Sequence, residues 1–237
     1  MLYFRGCVVR EKLPKISQAT EKILKRAGVD YTLLDNESCC GSFLMRTGFK
    51  EDAEEVMKNN LQDIRETGEK TVLVSCAGCY NTLENDYKTL FGEELELIHT
   101  SELLKKIIAE NRIHVRSLEK TVTYHDPCHL GRHSEIYEEP REVIKTTAEL
   151  VEMKRNRERS RCCGAGSGVK SAFPELALDV ATKRIHDADE TGAEILATTC
   201  SFCILNLDNA LKKSKNHEKG SLKEVIDLTQ LILRGME

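Results

Sequence analysis

The sequence predicts an α/β protein made of two duplicated parallel-sheet domains, residues 1–118 and 119–237, related by pseudo-twofold symmetry. Two observations predict this class: segments of the first half recur in the second, and short apolar strands alternate with amphipathic helices. A third observation concerns chemistry, because all 10 cysteines of the 237-residue chain lie in the recurring segments. The duplication therefore predicts both the fold and the location of any thiol chemistry.

The repeat is clearest around the cysteines. Its matching groups are Cys7 with Cys128 (121 residues apart), Cys39-Cys40-Gly41 with Cys162-Cys163-Gly164 (123 apart), and Cys76-x-x-Cys79 with Cys200-x-x-Cys203 (124 apart). Residues 66–79 also match residues 190–203, with Glu-Thr-Gly at the start of both copies. Since the spacing drifts by only three residues, each half carries the same array of five cysteines.

Each half shows alternating strand and helix patterns. In the first half, strands are predicted at 2–4, 31–34 and 71–74, and segments 94–98 and 103–108 close the unit. Apolar residues at helical spacing predict the helices, namely Ile16 to Ala27 ended by Gly28, Ala53 to Ile64 ended by Gly68, and one carrying Leu83, Tyr87 and Leu90. The second half repeats this pattern at 122–124, 150–153, 194–197 and 222–226, with a helix through Ala177 and Ile185.

The position of the cysteines relative to the strands predicts where a ligand binds. In parallel sheets of this kind, ligands bind beyond the carboxyl ends of the strands. Each half places its three cysteine groups directly after its first, second and third strands. We therefore expect three groups that are distant in sequence to converge at one edge of the sheet.

Composition narrows the class of protein. The 35 basic and 39 acidic residues give a formal net charge of −4, which offers no sign of nucleic-acid binding. The apolar runs fall far short of the ~20 residues that a membrane helix needs, and the start shows no signal peptide. We expect a cytoplasmic protein without direct membrane insertion. In that reducing compartment, ten cysteines indicate metal or redox chemistry rather than structural disulfides.

The thiolates of each array suit soft metals, namely zinc, copper(I) or iron–sulfur clusters. A Cys-x-x-Cys pair at a helix N-terminus places two anionic sulfurs beside backbone N–H groups that stabilise them. Five thiolates exceed both the four of tetrahedral zinc and the four of a cubane cluster. Either one cysteine of each array is a bystander or redox group, or the cluster is not a plain cubane. Zinc held by four of the five thiolates of one array remains an alternative.

The complete motifs carry a family resemblance. The C, CCG and CxxC groups of both halves resemble the CCG-type cysteine-rich domain family, whose members include heterodisulfide reductase subunits and iron–sulfur subunits of glycolate- and lactate-oxidising systems. Residues 124–132 (Tyr-His-Asp-Pro-Cys-His-Leu-Gly-Arg) and 156–166 are most similar to the heterodisulfide reductase branch. The resemblance covers nearly the whole chain.

That resemblance implies two noncubane [4Fe–4S] clusters and a disulfide-reducing oxidoreductase subunit. One cluster would be held by Cys7, Cys39, Cys40, Cys76 and Cys79, and the other by Cys128, Cys162, Cys163, Cys200 and Cys203. Two alternatives stay open. The chain is an electron-transfer-only subunit of a complex that oxidises lactate or glycolate, or it is a zinc-stabilised module without a redox role.

A redox partner subunit is also expected. Larger relatives carry a ferredoxin-like C-x2-C-x2-C-x3-C-P run, and this sequence has none. We therefore expect a ferredoxin-like, flavoprotein or haem partner to supply electrons, and such a partner could tether the chain to a membrane. The substrate would be a small disulfide, or a hydroxy acid in the alternative complex.

His125 and His129 are the candidate catalytic residues. They flank Cys128, whereas the first half has Gly6 and Val8 beside Cys7. Splitting a disulfide consumes two protons, which a histidine of near-neutral pKa can deliver. A purely structural, hydrogen-bonding role for both histidines is the alternative. Because these histidines, a richer glycine loop and the basic run 154–161 gather near the second array, we expect that array to be the reacting one.

Overall fold

The computed structural model describes residues 1–214 and 220–236 and confirms the predicted α/β class with two parallel sheets. The first sheet has three strands in the order β1-β2-β3, and the second has four in the order β5-β4-β6-β7. Every pairing within the two sheets is parallel. The strands β2 and β6 each lie between two others and are almost fully buried, which explains their nearly continuous apolar sequence.

The first half supplies three strands and seven helices among the described residues. In chain order they are β1 (Leu2–Phe4), α1 (Cys7–Glu11), α2 (Pro14–Arg26), α3 (Ser42–Thr47), α4 (Lys50–Glu66), β2 (Thr71–Val74), α5 (Ala77–Asn81), α6 (Tyr87–Phe91), β3 (Glu96–His99) and α7 (Thr100–Ala109). A π-helical turn, Thr82–Asp86, joins α5 to α6.

The second half supplies four strands and six helices among the described residues. It contains β4 (Thr121–Tyr124), α8 (Gly131–Ser134), α9 (Glu138–Lys145), β5 (Glu149–Leu150), α10 (Val169–Ala172), α11 (Pro174–Asp189), β6 (Ile195–Thr198), α12 (Ser201–Ser214), β7 (Glu224–Asp227) and α13 (Leu228–Gly235). A 3₁₀ turn, Arg157–Arg159, precedes the second CCG motif.

Strand register confirms the duplication at the level of single residues. Leu2 pairs with Val72 in the first sheet. Their counterparts in the second half, Thr123 and Leu196, pair in the same way. A one-residue slip would turn every side chain of a strand to the opposite face, so the two halves present equivalent faces to the cysteine loops.

Two predicted strands are shorter than expected. The segment 31–34 forms only an isolated bridge between Leu2 and Thr32, and the predicted strand 150–153 is the two-residue β5. In the first half, the N–H of Arg5 would continue this pairing by donating to the carbonyl of Leu34, but it donates to the carboxylate of Glu37 at 3.0 Å instead. The carbonyl of Leu34 accepts from the Arg5 guanidinium at 3.4 Å. The predicted segments 94–98 and 222–226 are shifted by one or two residues, to β3 and β7.

The two halves pack through helices on the side of the sheets away from α4 and α11. Helix α2 contacts α13, and α7 contacts α9. One apolar core includes Tyr3 and Leu104 from the first half together with Tyr124 and Leu231 from the second. The boundary between the predicted domains falls in the connection from α7 to β4 and remains a prediction. Among the described residues, no helix combines the length and apolar character required to cross a membrane.

Candidate metal centre

All ten cysteines line one cavity between the two halves. The cavity encloses about 840 Å³ between its lining atoms, part of it open to solvent. It lies beyond the carboxyl ends of β1, β2, β4 and β6, where the sequence places the cysteine groups. The sequence predicted one site per half. The structure instead brings both arrays to a shared site, because the pseudo-twofold relation turns the two sheet edges toward each other.

In the first array, helix starts position the sulfurs. Cys7 is the first residue of α1, and Cys76 immediately precedes α5, whose first turn holds Cys79. The sulfur of Cys7 lies 3.7 Å from that of Cys39 in the CCG loop. Each helix start offers unpaired backbone N–H groups and the positive end of the helix dipole to the sulfurs.

The second array is built in the same way. Cys200 immediately precedes α12, and Cys203 lies in its first turn. In the CCG loop, the backbone N–H of Gly164 donates to the sulfur of Cys162 at 3.3 Å. Cys162 is the exposed member of the array, whereas Cys163, Cys200 and Cys203 are buried. Solvent or a small molecule therefore reaches this array at the second CCG loop.

Nine of the ten thiols form one series in which each acts on the pKa of its neighbour. The series runs through Cys7, Cys39, Cys40, Cys79, Cys76, Cys200, Cys203, Cys163 and Cys162. It crosses from one half to the other between Cys76 and Cys200, which are counterparts in the repeat. The two arrays are therefore in direct contact, and their cavity is a single chemical environment.

This crowding favours thiolates at selected positions. The pKa of Cys39 falls to about 3, chiefly because its sulfur accepts a hydrogen bond from the Cys40 thiol. The pKa values of Cys76 and Cys163 fall well below the ordinary value, in each case chiefly through the adjacent thiol of the series. The thiolate is the form of cysteine that binds metals. The surroundings favour it at these three positions, whereas the pKa values of the other seven cysteines are raised.

The spacing of the sulfurs can be compared with that of a tetrahedral zinc site. Tetrahedral zinc with bonds of about 2.3 Å requires ligand sulfurs roughly 3.8 Å apart. Among the described residues, the only set of three or more potential ligands with all ligand atoms within 4.8 Å of one another is His125, Cys163 and Cys203. No three cysteines of either array, all of them described, meet this condition. Neither array therefore gathers its thiols as a tetrahedral zinc site would, and each has one thiolate more than a zinc ion binds.

The two candidate catalytic histidines occupy different positions. His129 lines the cavity, and its ring packs edge-on against His133 with 5.4 Å between centroids. Burial, followed by the neighbouring His133, lowers the pKa of His129. His125 is not part of the cavity wall and is almost fully buried, so its pKa is lowered chiefly by burial. Of the two, only His129 is placed to touch a molecule in the cavity.

Two buried arginines hold residues next to the second array in place. The sequence analysis did not predict either of them. Arg141 on α9 contacts both carboxylate oxygens of Asp126 at 2.6 and 3.0 Å, which anchors the loop that leads to Cys128. Arg184 on α11 donates from Nε to Nδ1 of His125 at 3.0 Å. Arg184 lies on the same helix face as the buried residues Ala177 and Ala181. A charged residue on an otherwise apolar face was the available signal.

Three of the five basic residues in the run before the second CCG motif are paired with carboxylates. Arg157 contacts Glu138 at 2.6 Å, and Arg161 contacts Asp187 at 3.3 Å. The side chain of Lys154 is 91 % exposed and lies 3.7 Å from Glu190. These contacts are typical of a surface loop.

Comparison with known proteins identifies the family. The model of the CCG cysteine-rich domain matches residues 1–84 and again residues 122–208. The chain is 41 % identical over 242 residues to a subunit of the dihydromethanophenazine:CoB–CoM heterodisulfide reductase of Methanosarcina acetivorans, covering 98 % of this chain and 57 % of that protein. It is 30 % identical to the EtfAB:quinone oxidoreductase of Syntrophomonas wolfei, covering 100 % of this chain and 34 % of that protein.

The chain therefore belongs to the CCG cysteine-rich domain family, within which it is similar to heterodisulfide reductase subunits, and this confirms the resemblance carried by the motifs. It spans little more than half the length of the first relative. Among solved structures, the aspartate racemase of Picrophilus torridus aligns with 98 % of this chain and 90 % of that one, with a TM-score of 0.42 and 11 % identity. That likeness is weak, and the α/β class rests on the strands and helices described above.

Proposed function

We propose that this chain is the disulfide-reducing iron–sulfur subunit of a heterodisulfide-reductase-like complex, with one cluster in each five-cysteine array. The observation that carries this proposal is the convergence of all ten thiols on one cavity. An electron-relay protein needs clusters within transfer distance of each other, but it does not need both to face the same opening. A shared cavity is what a substrate that contacts both clusters would require.

The proposed reaction is balanced by two electrons and two protons. The disulfide bond breaks, each sulfur gains one electron and one proton, and two thiols leave. When bound, the iron–sulfur clusters supply the electrons one at a time. A noncubane [4Fe–4S] cluster on each array accounts for the fifth cysteine, and zinc in one array is the competing assignment.

The chain's own residues position the substrate and its protons. Cys162 is the exposed thiol of the second array, so we place the disulfide at that side of the cavity. His129 lies on the cavity wall and is the residue we assign to proton delivery. His125 is almost fully buried and lies outside the cavity wall, so we assign it a hydrogen-bonding role rather than the predicted catalytic one.

The electrons come from a partner in this proposal. The relatives that carry the heterodisulfide reductase name are longer than this chain, and that name describes one subunit of an enzyme. A ferredoxin-like, flavoprotein or haem partner that docks near the cavity would complete the path. The name of the first relative makes the CoM–CoB heterodisulfide the first substrate to test.

Electron transfer alone is the second candidate function. The relative named EtfAB:quinone oxidoreductase favours it, because that name contains no disulfide substrate. Under this alternative the clusters accept and pass electrons, and the cavity binds no disulfide. The lactate- or glycolate-oxidising complexes of the sequence prediction belong to the same class.

Viologen oxidation by the oxygen-free protein tests the proposal. With reduced benzyl viologen as donor, we expect the CoM–CoB heterodisulfide to cause oxidation of two viologen radicals for every disulfide consumed. Cys163→Ser should abolish this oxidation, and Lys154→Ala, at an exposed surface position, should leave it unchanged. Clusters that are reduced by viologen but never reoxidised by the disulfide would contradict the proposal and favour electron transfer alone.

A further inference from the structure

We propose that the buried pair His125–Arg184 raises the reduction potential of the second-array cluster above that of the first, through an N–H···S hydrogen bond from His125 to Cys163. This inference rests on the proposed function, because it requires a cluster in each array. Arg184 is the positioning residue, and His125 is the group that contacts the ligand sulfur.

Arg184 fixes the direction of the hydrogen bond. Its Nε donates to Nδ1 of His125 at 3.0 Å, and both side chains are almost fully buried. A guanidinium has donors only, so Nδ1 must accept, and the proton of the neutral imidazole is on Nε2. The guanidinium itself is held by the carbonyl of Arg155 at 2.8 Å and the hydroxyl of Ser160 at 3.1 Å.

The Nε2 proton points toward the second array. Within the described part of the chain, Nε2 of His125 is buried and has no hydrogen-bond partner. One imidazole nitrogen of His125 and the sulfurs of Cys163 and Cys203 lie within 4.8 Å of one another. Because Arg184 occupies Nδ1, the nitrogen available to these sulfurs is Nε2. A thiolate is the acceptor that this buried N–H otherwise lacks.

The His125–Arg184 pair has no counterpart at the equivalent positions of the first half, where the first-array sulfur of Cys76 instead accepts from the hydroxyl of Ser201 at 3.3 Å. Phe4 occupies the position equivalent to His125, and Asn60 the position equivalent to Arg184. The amide of Asn60 is already engaged, since it donates to the carbonyl of Cys39 at 2.7 Å and accepts from the N–H of Ser38 at 3.3 Å. Near Cys7 the buried charged group is instead the carboxylate of Glu37, which accepts the N–H of Gly6 at 2.7 Å.

This asymmetry sets the order of the two potentials. Reduction adds negative charge to a cluster, and hydrogen bonds to its sulfurs stabilise that charge and raise the potential. The buried guanidinium of Arg184 acts in the same direction at the second array, although Asp187 partly offsets its charge at 3.4 Å. The carboxylate of Glu37 acts in the opposite direction at the first, although Arg5 partly offsets it at 3.3 Å. The second array therefore holds the first electron that enters the chain.

A pair of matched variants tests the hydrogen bond. In His125→Asn, the amide oxygen can still accept from Arg184, but no donor reaches Cys163. In His125→Gln, the longer side chain returns an N–H to the position of Nε2. The readout is a redox titration of the oxygen-free, cluster-loaded protein followed by electron paramagnetic resonance, with iron content measured on each sample.

Two midpoints are expected in the natural protein. We expect His125→Asn to lower the higher midpoint toward the lower one without loss of iron, and His125→Gln to restore most of the difference. Unchanged midpoints in fully loaded His125→Asn would overturn this inference and leave the proposed function intact. A natural protein that contains no iron clusters would overturn both.

Discussion

The hydroxyl of Ser201 lies 3.3 Å from the sulfur of Cys76, although 125 residues separate them in sequence. The neighbouring backbone makes a second link between the halves, because the N–H of Ala77 donates to the carbonyl of Thr199 at 3.2 Å. These contacts join the two Cys-x-x-Cys helices at the pseudo-twofold axis. The duplication therefore produces one composite site rather than two independent ones.

The contact between the arrays predicts magnetic coupling of their clusters. With each cluster reduced by one electron, we expect the electron paramagnetic resonance signals to be broadened or split by spin–spin interaction. Cys163→Ser, designed to remove the second cluster, should leave a simple signal from the first. Two independent, unbroadened signals in the fully loaded protein would place the clusters farther apart than the structure does.

The surroundings of the two CCG glycines predict that the arrays differ in their response to a glycine-to-alanine substitution. Gly41 and Gly164 have φ angles of +86° and +82°, so an alanine at either position should cost roughly 1–2 kcal/mol in backbone strain. At Gly164, an added Cβ would also lie 2.6 Å from the carbonyl oxygen of Ala177, which is backbone and cannot move aside. At Gly41 the nearest atom, at 2.6 Å, is the end of the flexible Met57 side chain.

We therefore expect Gly164→Ala to lose the second cluster and Gly41→Ala to keep most of its iron. Iron content per chain after oxygen-free purification measures both effects. Equal iron loss in the two variants would show that backbone strain alone, and not the clash with Ala177, determines how an alanine in the CCG loop affects cluster binding.

The buried ion pair of Arg141 predicts a large stability effect. Arg141 is fully buried and contacts Asp126 and Glu152, so Arg141→Met leaves the Asp126 carboxylate buried without its partner. Removing one partner of a buried pair typically costs about 3–5 kcal/mol. Arg157→Met, at a partly exposed pair with Glu138, should cost no more than about 1 kcal/mol. Urea unfolding of both variants measures the difference, and similar losses would contradict the assignment of Arg141 as the anchor of the Cys128 loop.

Asp227 predicts a pH-dependent stability. Burial raises its pKa from 3.8 to about 7, and within the described residues its Oδ2 has no hydrogen-bond partner. The folded state binds the Asp227 proton more tightly than the unfolded state does. The stabilisation that results from this proton is therefore fully present below about pH 4. It is lost as the pH rises to about 7 and is constant above that value, with a total of roughly 4 kcal/mol.

The variant Asp227→Asn removes this charge and keeps the acceptor for the N–H of Thr229, which Oδ1 holds at 2.8 Å. We expect the thermal unfolding midpoint of the variant to exceed that of the natural protein by more at pH 8 than at pH 6. Measuring both proteins at both pH values cancels the pH dependence of all other groups. A difference independent of pH would refute the raised pKa.

Much of the architecture is readable from the repeat. The strand Thr71–Val74 and the placement of Cys7, Cys76, Cys128 and Cys200 beyond strands follow from local patterns, because strands, helix ends and their order are short-range properties. The prediction of a strand at 31–34 was wrong, because the N–H of Arg5 that would extend its pairing donates to Glu37 instead. Apolar composition carries no information about that partner.

Local sequence patterns could not predict the shared cavity or the buried residues around it. A duplication shows that two sites exist, but not that their openings face each other across Cys76 and Cys200. Arg184 reads as one charge among many on an amphipathic helix, and only the packing of α11 against the CCG loop shows that it is buried and bonded to His125. The spacing of residues along the sequence gives little sign of side chains that act through a second residue.

The metal content of the protein purified without oxygen tests the central claim most directly. The account predicts about eight irons and eight sulfides per chain, four of each in each array. It also predicts that adding a disulfide to the reduced protein changes its electron paramagnetic resonance signal. One or two zinc ions per chain with little iron would contradict the account, and would leave a duplicated, metal-stabilised module without disulfide chemistry.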